Sequence, residues 1–184
     1  IQNLGPKISY DNDEFNTNFL PANLKIGTGF DFIFDEDNKL AVNIELNKLL
    51  VPTPQKPDLN GDGTVTPEEY TQNYNNYRKT GWVSGLVKSF GDAPDGFSEE
   101  LREFTYALGT EYMYRNAFAI RAGYFHESPV KGARQYFSMG AGFKYTTAKI
   151  DVSYLFSTSK VRNPLENTLR FSLTFNFGDN YGLN

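Results

Sequence analysis

The chain has 184 residues, a formal net charge of −4 and a pI near 5.1, so it lacks the basic surface that nucleic-acid-binding proteins need. It contains no cysteine, which excludes disulfides, thiolate metal sites and a cysteine nucleophile. No apolar run approaches the roughly 18–20 residues of a membrane-spanning helix, so any membrane crossing must be made by strands. Aromatic residues form 16% of the chain and hydrophobic residues only 39%, a balance typical of a membrane barrel with aromatic girdles.

Most of the chain alternates apolar and polar residues, which predicts β-strands because successive side chains of a strand point to opposite faces. The clearest case is residues 168–177, where leucine and phenylalanine alternate with threonine, arginine, serine and asparagine. The same alternation predicts strands at residues 24–34, 39–50, 103–114, 117–125, 136–145 and 149–157. Residues 1–10 contain a further short extended segment, weakened by Gly5 and Pro6. We therefore expect an all-β fold of about eight antiparallel strands.

The connections between these strands alternate strictly between long and short. The long ones are residues 11–21, 51–102, 126–135 and 158–167, and the short ones are residues 35–38, 115–116 and 146–148. Bacterial outer-membrane barrels show this alternation, with short periplasmic turns and long extracellular loops. The pattern predicts a single barrel domain over residues 1–184 with an extracellular insertion at residues 51–102 and a periplasmic C-terminus.

Charged side chains lie on the strand faces opposite the large apolar residues, at Asp31, Glu45, Glu111, Arg121, Lys144 and Arg170. The interior of a membrane barrel accepts such charges, whereas a soluble barrel places its apolar residues inside. We therefore predict a transmembrane antiparallel β-barrel of the bacterial outer membrane, with lipid against the apolar face. A soluble all-β fold is the alternative.

Three segments resemble one family of membrane proteins. They read I-Q-N-L-G-P-K-I-S-Y at residues 1–10, F-L-P-A-N-L-K-I-G-T-G-F at residues 19–30 and N-P-L-E-N-T-L-R-F-S-L-T-F-N-F at residues 163–177. These segments are similar to the C-terminal part of the PorV/PorQ family of outer-membrane proteins of Bacteroidota. That family is similar in fold to the FadL transporters, which implies that this chain supplies about eight strands of a barrel of about 14.

The resemblance implies a non-enzymatic role in type IX protein secretion. Members of the family associate with the larger translocon barrel, receive the C-terminal signal domain of exported cargo and pass the cargo to the surface attachment complex. The family has no short catalytic motif, so the resemblance transfers a role and no catalytic residue. The alternative is a FadL-type outer-membrane transporter of hydrophobic small molecules.

Residues 58–69 match the calcium-loop pattern D-x-[DN]-x-[DN]-G-x5-E throughout. The predicted metal ligands are Asp58, Asn60, Asp62, Thr64, Thr66 and Glu69. Calcium prefers such hard oxygen ligands, and Gly63 stands where the loop turns sharply. The prolines that precede the loop exclude an incoming helix, so we expect a structural Ca²⁺ site rather than a sensor hand. Residues 66–69 also form a capping box that begins a helix at Pro67, and both interpretations can hold together.

Residues 81–90 carry apolar side chains at helical spacing and predict a short amphipathic helix. The predicted partner-binding residues on it are Trp82, Val83, Leu86, Val87 and Phe90. A second short helix is expected to begin at Ser98. The alternative is that these helices pack only against their own loop and the barrel rim, because a long loop must bury apolar surface to stay ordered.

His126 is the only histidine, so a serine-hydrolase site would depend on it. It stands at the end of a predicted strand, beside Glu127 and Ser128, where outer-membrane hydrolases hold active sites. A lone histidine in a rim loop is more commonly a solvated residue, and the sequence shows no nucleophile paired with it. We therefore predict that the protein is not an enzyme.

Overall fold

A computed structural model gives the fold and describes residues 1–9, 17–159 and 167–177. Its strands are β1 (Ile8–Ser9), β2 (Thr17–Asn18), β3 (Asn23–Ile33), β4 (Asn38–Leu49), β5 (Phe104–Tyr114), β6 (Phe118–His126), β7 (Gln135–Tyr145), β8 (Ala148–Ser157) and β9 (Thr168–Phe175). Its helices are α1 (Pro67–Lys79), α2 (Trp82–Lys88) and α3 (Phe97–Arg102). Predictions for residues 10–16, 160–166 and 178–184, among them a girdle role for Tyr10, lie outside the described residues.

Seven strands form one antiparallel sheet in the order β3-β4-β5-β6-β7-β8-β9. Short turns return the chain directly to the neighbouring strand in the hairpins β3–β4, β5–β6 and β7–β8, whereas the other consecutive pairs are joined by long connections. Between β5 and β6, both Arg115 and Asn116 have a φ of 53°, the left-handed conformation that a two-residue hairpin turn requires. Between β3 and β4, Asp35 Oδ1 accepts hydrogen bonds from the backbone N–H groups of Asp37 and Asn38.

The all-β antiparallel class predicted from alternation is confirmed. The seven strands of the sheet begin and end within about two residues of the predicted bounds, a normal margin for strand ends. The short extended segment predicted within residues 1–10 is present in the described part of that range. Within residues 1–9 only Ile8–Ser9 form a strand, which pairs with Thr17–Asn18 in a separate two-stranded sheet. Pro6 lacks a backbone N–H and cannot continue a ladder through the middle of that segment.

One face of the seven-stranded sheet exposes a band of large apolar side chains. Its exposed members from β3 to β9 include Phe30, Phe32, Ile44, Leu46, Leu108, Ile120, Phe137, Met139, Phe143, Ile150, Val152, Phe171, Leu173 and Phe175. An apolar surface of this extent in water would be an aggregation hazard. It is the surface that a transmembrane strand presents to lipid. In the part of the chain that the structure describes, no helix is long and apolar enough to cross a membrane.

The helical insertion follows the local signals in its sequence. Helix α1 begins at Pro67 after the N-cap Thr66, and the predicted capping box is complete because Thr66 and Glu69 bond each other's backbone N–H groups. Helix α2 lies within the predicted residues 81–90. Helix α3 begins at Phe97, one residue before the predicted start.

The chain divides into two compact units. Unit 1 contains Ile1–Ile26 and Asn47–Phe104, and unit 2 contains Gly27–Leu46 and Thr105–Asn184. In unit 1, Gly85 of α2 is buried so closely that a Cβ there would lie 2.7 Å from the Phe19 ring and 3.2 Å from Pro52. Phe19 also meets Tyr77 of α1 edge to face, with ring centroids 5.5 Å apart. These contacts hold α1 and α2 on the extended N-terminal segment.

Candidate functional site

The predicted calcium loop is held by carboxylate and amide oxygens that turn into it. Asp58 accepts hydrogen bonds from the N–H groups of Gly61 at 2.7 Å and Gly63 at 2.9 Å. Asn60 Oδ1 accepts from Asp62 N at 2.8 Å. Gly61 and Gly63 have φ values of 77° and 84°, which a residue with a side chain rarely adopts. Hydrogen bonds from the loop's backbone N–H groups to its own polar side chains therefore hold the loop in a folded-back conformation.

Glu69 closes the same loop from the first turn of α1. Its Oε1 accepts a long hydrogen bond of 3.3 Å from Asn60 N, and its Oε2 accepts from Thr66 N at 3.0 Å. Hydrogen bonds from Thr66 hold the pKa of Glu69 below its ordinary value. Hydrogen bonds from the side chain and backbone of Thr64 likewise lower the pKa of Asp62. Both groups are therefore carboxylates at neutral pH, as a calcium ligand must be.

Calcium binding at this loop stays a prediction. Within the described ranges, no three His, Asp or Glu side chains are gathered closely enough to hold a metal ion. The loop oxygens accept backbone N–H groups instead, so ligation requires the side chains of Asp58, Asp62 and Glu69 to converge further. Val65, an apolar residue of the loop, is 51% exposed and does not anchor the loop by packing.

The predicted partner-binding residues divide between two sides of α2. Val83 and Val87, one helical turn apart, are 55% and 71% exposed, and Phe90 just after the helix is 52% exposed. Trp82 and Leu86 are half-buried, on the side where Gly85 meets Phe19 and Pro52. The Phe90 ring lies 5.9 Å from the buried Lys48 ammonium, so we call only Val83 and Val87 the outer face of α2. Sequence reasoning missed Phe97 and Leu101 of α3, which are 77% and 55% exposed.

Unit 1 also contains a buried ion cluster that the sequence did not reveal. Lys48 of β4 has a side chain only 1% exposed, and its Nζ lies 2.6 Å from Glu100 Oε1 and 2.7 Å from Glu103 Oε2. The Phe104 ring lies 5.1 Å from the same ammonium. Thr53 Oγ1 donates to Glu103 Oε1 at 2.7 Å. The cluster therefore ties α3 and the start of the insertion to the end of β4.

Asp92 adds a third carboxylate beside this cluster. Its Oδ2 accepts from Thr53 N at 3.0 Å, while its buried Oδ1 has no hydrogen-bond partner in the described residues. Burial raises the pKa of Asp92, and the negative charges of Glu103 and Glu100 raise it further. The ionised form is thus disfavoured at this position.

The predicted interior charges of unit 2 include a paired cluster. Arg121 donates to Glu111 on β5 and to Asp151 on β8, the second at 2.7 Å. Asp151 also lies 3.2 Å from Lys149 Nζ. Gly142 lies beneath this network, because a Cβ there would come 2.5 Å from Asp151 Oδ1 and 2.9 Å from Arg121 Nη1. The network lies flat across the polar face of the sheet.

His126 has aromatic neighbours rather than a catalytic arrangement. Its ring stacks on Tyr106 with centroids 4.6 Å apart, and its Nδ1 lies 3.3 Å from the Tyr124 hydroxyl. The adjacent carboxylate of Glu127 is held by Arg134 through Nε and Nη2, each at 2.8 Å. The acid next to the histidine is thus occupied in a loop ion pair and does not orient the imidazole.

A comparison with family models gives one match. Residues 1–56 match the family described as Type IX secretion system protein PorV. Over these residues, the chain is PorV-like. The resemblance that we drew from residues 1–10 and 19–30 is confirmed, since both segments lie inside the match. A comparison with curated proteins found no match.

The PorV match covers β1 to β4 and the first residues of the insertion. It therefore includes Lys48, the cation at the centre of the buried cluster, but not the acidic residues that surround it. The calcium loop, α2 and the strands β5 to β9 lie beyond the match. The family matched over residues 1–56 is one of type IX secretion system proteins. The antiparallel sheet with its apolar face is consistent with the outer membrane.

Proposed function

We propose that this chain is a non-enzymatic outer-membrane component of the type IX secretion system. It associates with the larger translocon barrel, binds the C-terminal signal domain of cargo and passes that cargo to the surface attachment complex. The single observation that carries this proposal is the PorV match over residues 1–56. An antiparallel sheet with one exposed apolar face supports insertion in lipid.

The outer face of α2 is the surface that we assign to a protein partner. Val83 and Val87 lie opposite the buried Gly85, so they do not contribute to the packing of α2 on Phe19 and Pro52. Contiguous apolar side chains that stay exposed on a folded surface mark protein–protein interaction sites. Helix α2 is already folded before a partner binds, so little conformational entropy is lost on binding and the affinity is higher.

In this proposal the insertion and the β6–β7 loop lie on the extracellular side, and the C-terminal end of β9 lies on the periplasmic side. The ordered structure of the β6–β7 loop supports its assignment to the extracellular side. Glu127 is only 8% exposed and forms a two-pronged ion pair with Arg134, and burial of Ala133 to 7% adds to the order of the loop. Ordered long loops at the end opposite the tight turns are typical of outer-membrane barrels.

Transport of hydrophobic small molecules is the second candidate function, and the described polar face does not favour it. Arg121, Glu111 and Asp151 form an ion cluster in the middle of that face. A path for apolar molecules would have to cross these charges, whose exposure to an apolar ligand is costly.

The secretion role is tested by co-purification from membranes of the native host. The variant Val83→Ser/Val87→Ser removes the apolar outer face of α2 and leaves the buried side intact. We expect it to lose most of the translocon barrel and of the cargo signal domain that the wild type retains. Tyr70→Ser is the matched control, because Tyr70 is 62% exposed on α1 and lies outside that face. Equal recovery of both partners by the two variants would contradict the assignment.

We also propose that residues 58–69 bind one structural Ca²⁺. The side-chain oxygens of Asp58 and Asn60 accept backbone N–H groups within the loop, and Glu69 reaches back to Asn60 in its first half. These are the carboxylate and amide oxygens at the positions that calcium loops use. An ion there would replace several internal hydrogen bonds and fix the start of α1.

Calcium binding is tested by titrating the purified protein while the protease resistance of the loop is followed. Wild type is expected to gain protection with Ca²⁺ and to lose it with a chelator. Asp58→Ala/Asp62→Ala and Glu69→Gln are expected to show no calcium-dependent protection. Glu68→Gln is the matched control, because its neighbouring carboxylate is not a predicted ligand, and it should behave as wild type. Calcium-independent protection in the wild type would exclude the site.

A further inference from the structure

A cavity of about 340 Å³ lies in unit 2 at the end of the sheet that carries the short turns. Its lining includes Lys144 of β7, Lys149 of β8, Asn116 of the β5–β6 turn and Asn176 just after β9. Ligand sites in proteins commonly have volumes of about 300–1,000 Å³, so this cavity has the size of a small binding site.

The two lysines are direct neighbours across the β7–β8 hairpin. Lys144 pairs in register with Lys149, and residues opposite each other in this way have Cβ atoms about 4.5–5.5 Å apart. Like charges at such positions are destabilising. The residues on either side of the pair are uncharged, since Lys144 N donates to Ala117 O and Thr174 lies opposite Lys149. An anion that contacts both ammonium groups would remove the repulsion between them.

The acidic side chains near the pair do not neutralise it. Asp151 lies 3.2 Å from Lys149 Nζ and also 2.7 Å from Arg121 Nη1, so it is shared between two cations. Arg121 pairs with Glu111 as well, and both of these residues line the cavity. Three cations therefore share two carboxylates. Among the described residues, no acidic side chain pairs with Lys144, which is exposed and carries the excess positive charge.

Amide groups flank the lysine pair on both sides. The Oδ1 of Asn116 accepts a hydrogen bond from Lys39 Nζ at 3.2 Å, which leaves the amide N–H groups of Asn116 to donate. Asn176 is fixed by its backbone N–H, which donates to Thr147 O at 2.8 Å, and its side chain has no hydrogen bond within the described residues. From β6 to β9 there are three strand steps of about 4.8 Å, so the row of donors is roughly 14 Å long.

The length of this row indicates the kind of anion that fits it. A single carboxylate or phosphate group would occupy only the space between two neighbouring strands. An extended peptide advances about 3.3 Å per residue, so about four residues cover the whole row. A lysine ammonium on its flexible stem can also follow a carboxylate without a fixed geometry. The row therefore favours an acidic peptide over a single small anion.

We propose that this cavity binds an extended acidic peptide segment of a partner protein. Carboxylates of the segment contact Lys144 and Lys149, and the amides of Asn116 and Asn176 donate to its polar groups. In the proposed function this end of the sheet is periplasmic, so the partner is a periplasmic protein. Only that location rests on the proposed function, because the site uses residues of unit 2 and none of α2.

The test is fluorescence anisotropy of labelled tetraglutamate and, as its uncharged counterpart, labelled tetraglutamine, with the protein in nanodiscs of zwitterionic lipid. We expect tetraglutamate to bind at least about tenfold more tightly, because hydrogen bonds to charged groups are stronger than those between neutral groups. Lys144→Gln is expected to remove most of this preference. Lys56→Gln is the matched control, because it loses the same charge from an exposed pair with Asp95 in unit 1, and it should keep the preference.

Equal binding of the two peptides to the wild type would overturn the proposal, as would absence of binding by both. Inorganic phosphate that binds as tightly as tetraglutamate would overturn it too, since the site would then hold a small anion only. An unchanged preference in folded Lys144→Gln would have the same consequence. Should Lys144→Gln fail to fold, the comparison of the two peptides on the wild type still decides. The secretion role is tested separately by the Val83→Ser/Val87→Ser variant, so a failure here would leave that role untouched.

Discussion

Lys48 Nζ lies 2.6 Å from Glu100 Oε1, and the two side chains are 1% and 9% exposed. The contact joins a strand to a helix that follows it by 52 residues. A buried charge pair adds little when both partners are present, but the loss of one partner leaves the other uncompensated in a poorly solvated place. We therefore expect the Lys48–Glu100 pair to determine whether the insertion remains packed against the end of β4.

Replacing Lys48 by Met should destabilise unit 1 by about 3–5 kcal/mol, because Glu100 and Glu103 lose their shared cation. The expected result is a lower urea midpoint for cleavage of residues 51–102 by protease. Lys56→Met is the control, since Lys56 pairs with Asp95 while both side chains are more than 60% exposed. It should change the midpoint little. Equal effects of the two variants would contradict a structural role for the cluster.

Asp92→Asn should stabilise unit 1 at neutral pH. The folded-state pKa of Asp92 is raised above its ordinary value of 3.8, chiefly by burial, so the ionised form costs stability above the folded pKa. That cost disappears as the pH falls through the folded pKa, and the variant carries no charge at any pH. The difference in unfolding midpoint between the variant and the wild type should therefore shrink in acid. A difference that is constant with pH would show that the charge is not its cause.

Gly142→Ala should weaken the Arg121–Asp151 pair, because the new methyl group would overlap Asp151 Oδ1 and Arg121 Nη1. We expect a loss of at most about 1.5–3 kcal/mol, the range for a hydrogen bond to a charged group, because both side chains are less than one third exposed. Gly109→Ala is the matched control, since nothing lies within 4 Å of its added Cβ. It should stabilise by about 0.5–1 kcal/mol, because alanine loses less backbone entropy in a strand. Unfolding in lipid vesicles measures both.

The β6–β7 loop should loosen in acid. Hydrogen bonds from Arg134 hold the pKa of Glu127 below its ordinary value of 4.5, so the pair stabilises the loop above that pH and is lost as the pH falls through the lowered pKa. Hydrogen exchange of residues 127–134, corrected for intrinsic rates, should accelerate below about pH 4.5. Glu127→Gln should exchange quickly at neutral pH and lose the dependence. Unchanged exchange in the variant would exclude the ion pair as the source of order.

The strands could be predicted from the sequence because their alternation and turns are local signals. The predicted strand at residues 103–114 appears as β5, and the tight turn at residues 115–116 is present in the structure. The capping box of Thr66 and Glu69 was also predicted, since its two partners are three residues apart. Each of these features depends only on residues that are close together in the sequence.

The features that sequence reasoning missed depend on long-range contacts. In the sequence, Lys48 is only one of several polar residues in a strand. Its partners Glu100 and Glu103 lie 52 and 55 residues further along the chain, so no local pattern indicates the ion cluster. The exposed Phe97 was missed because α3 begins there, one residue before the expected start.

The central claim is that the outer face of α2 contacts the secretion machinery, and photo-cross-linking in cells tests it most directly. A photoreactive amino acid is placed at Val87, which is 71% exposed, and separately at Tyr70 on α1, which is 62% exposed. The expected result is a cross-link from position 87 to the translocon barrel or to a cargo signal domain, and none of comparable yield from position 70. Cross-links from position 87 to neither protein, in cells whose secretion is active, would contradict the docking role.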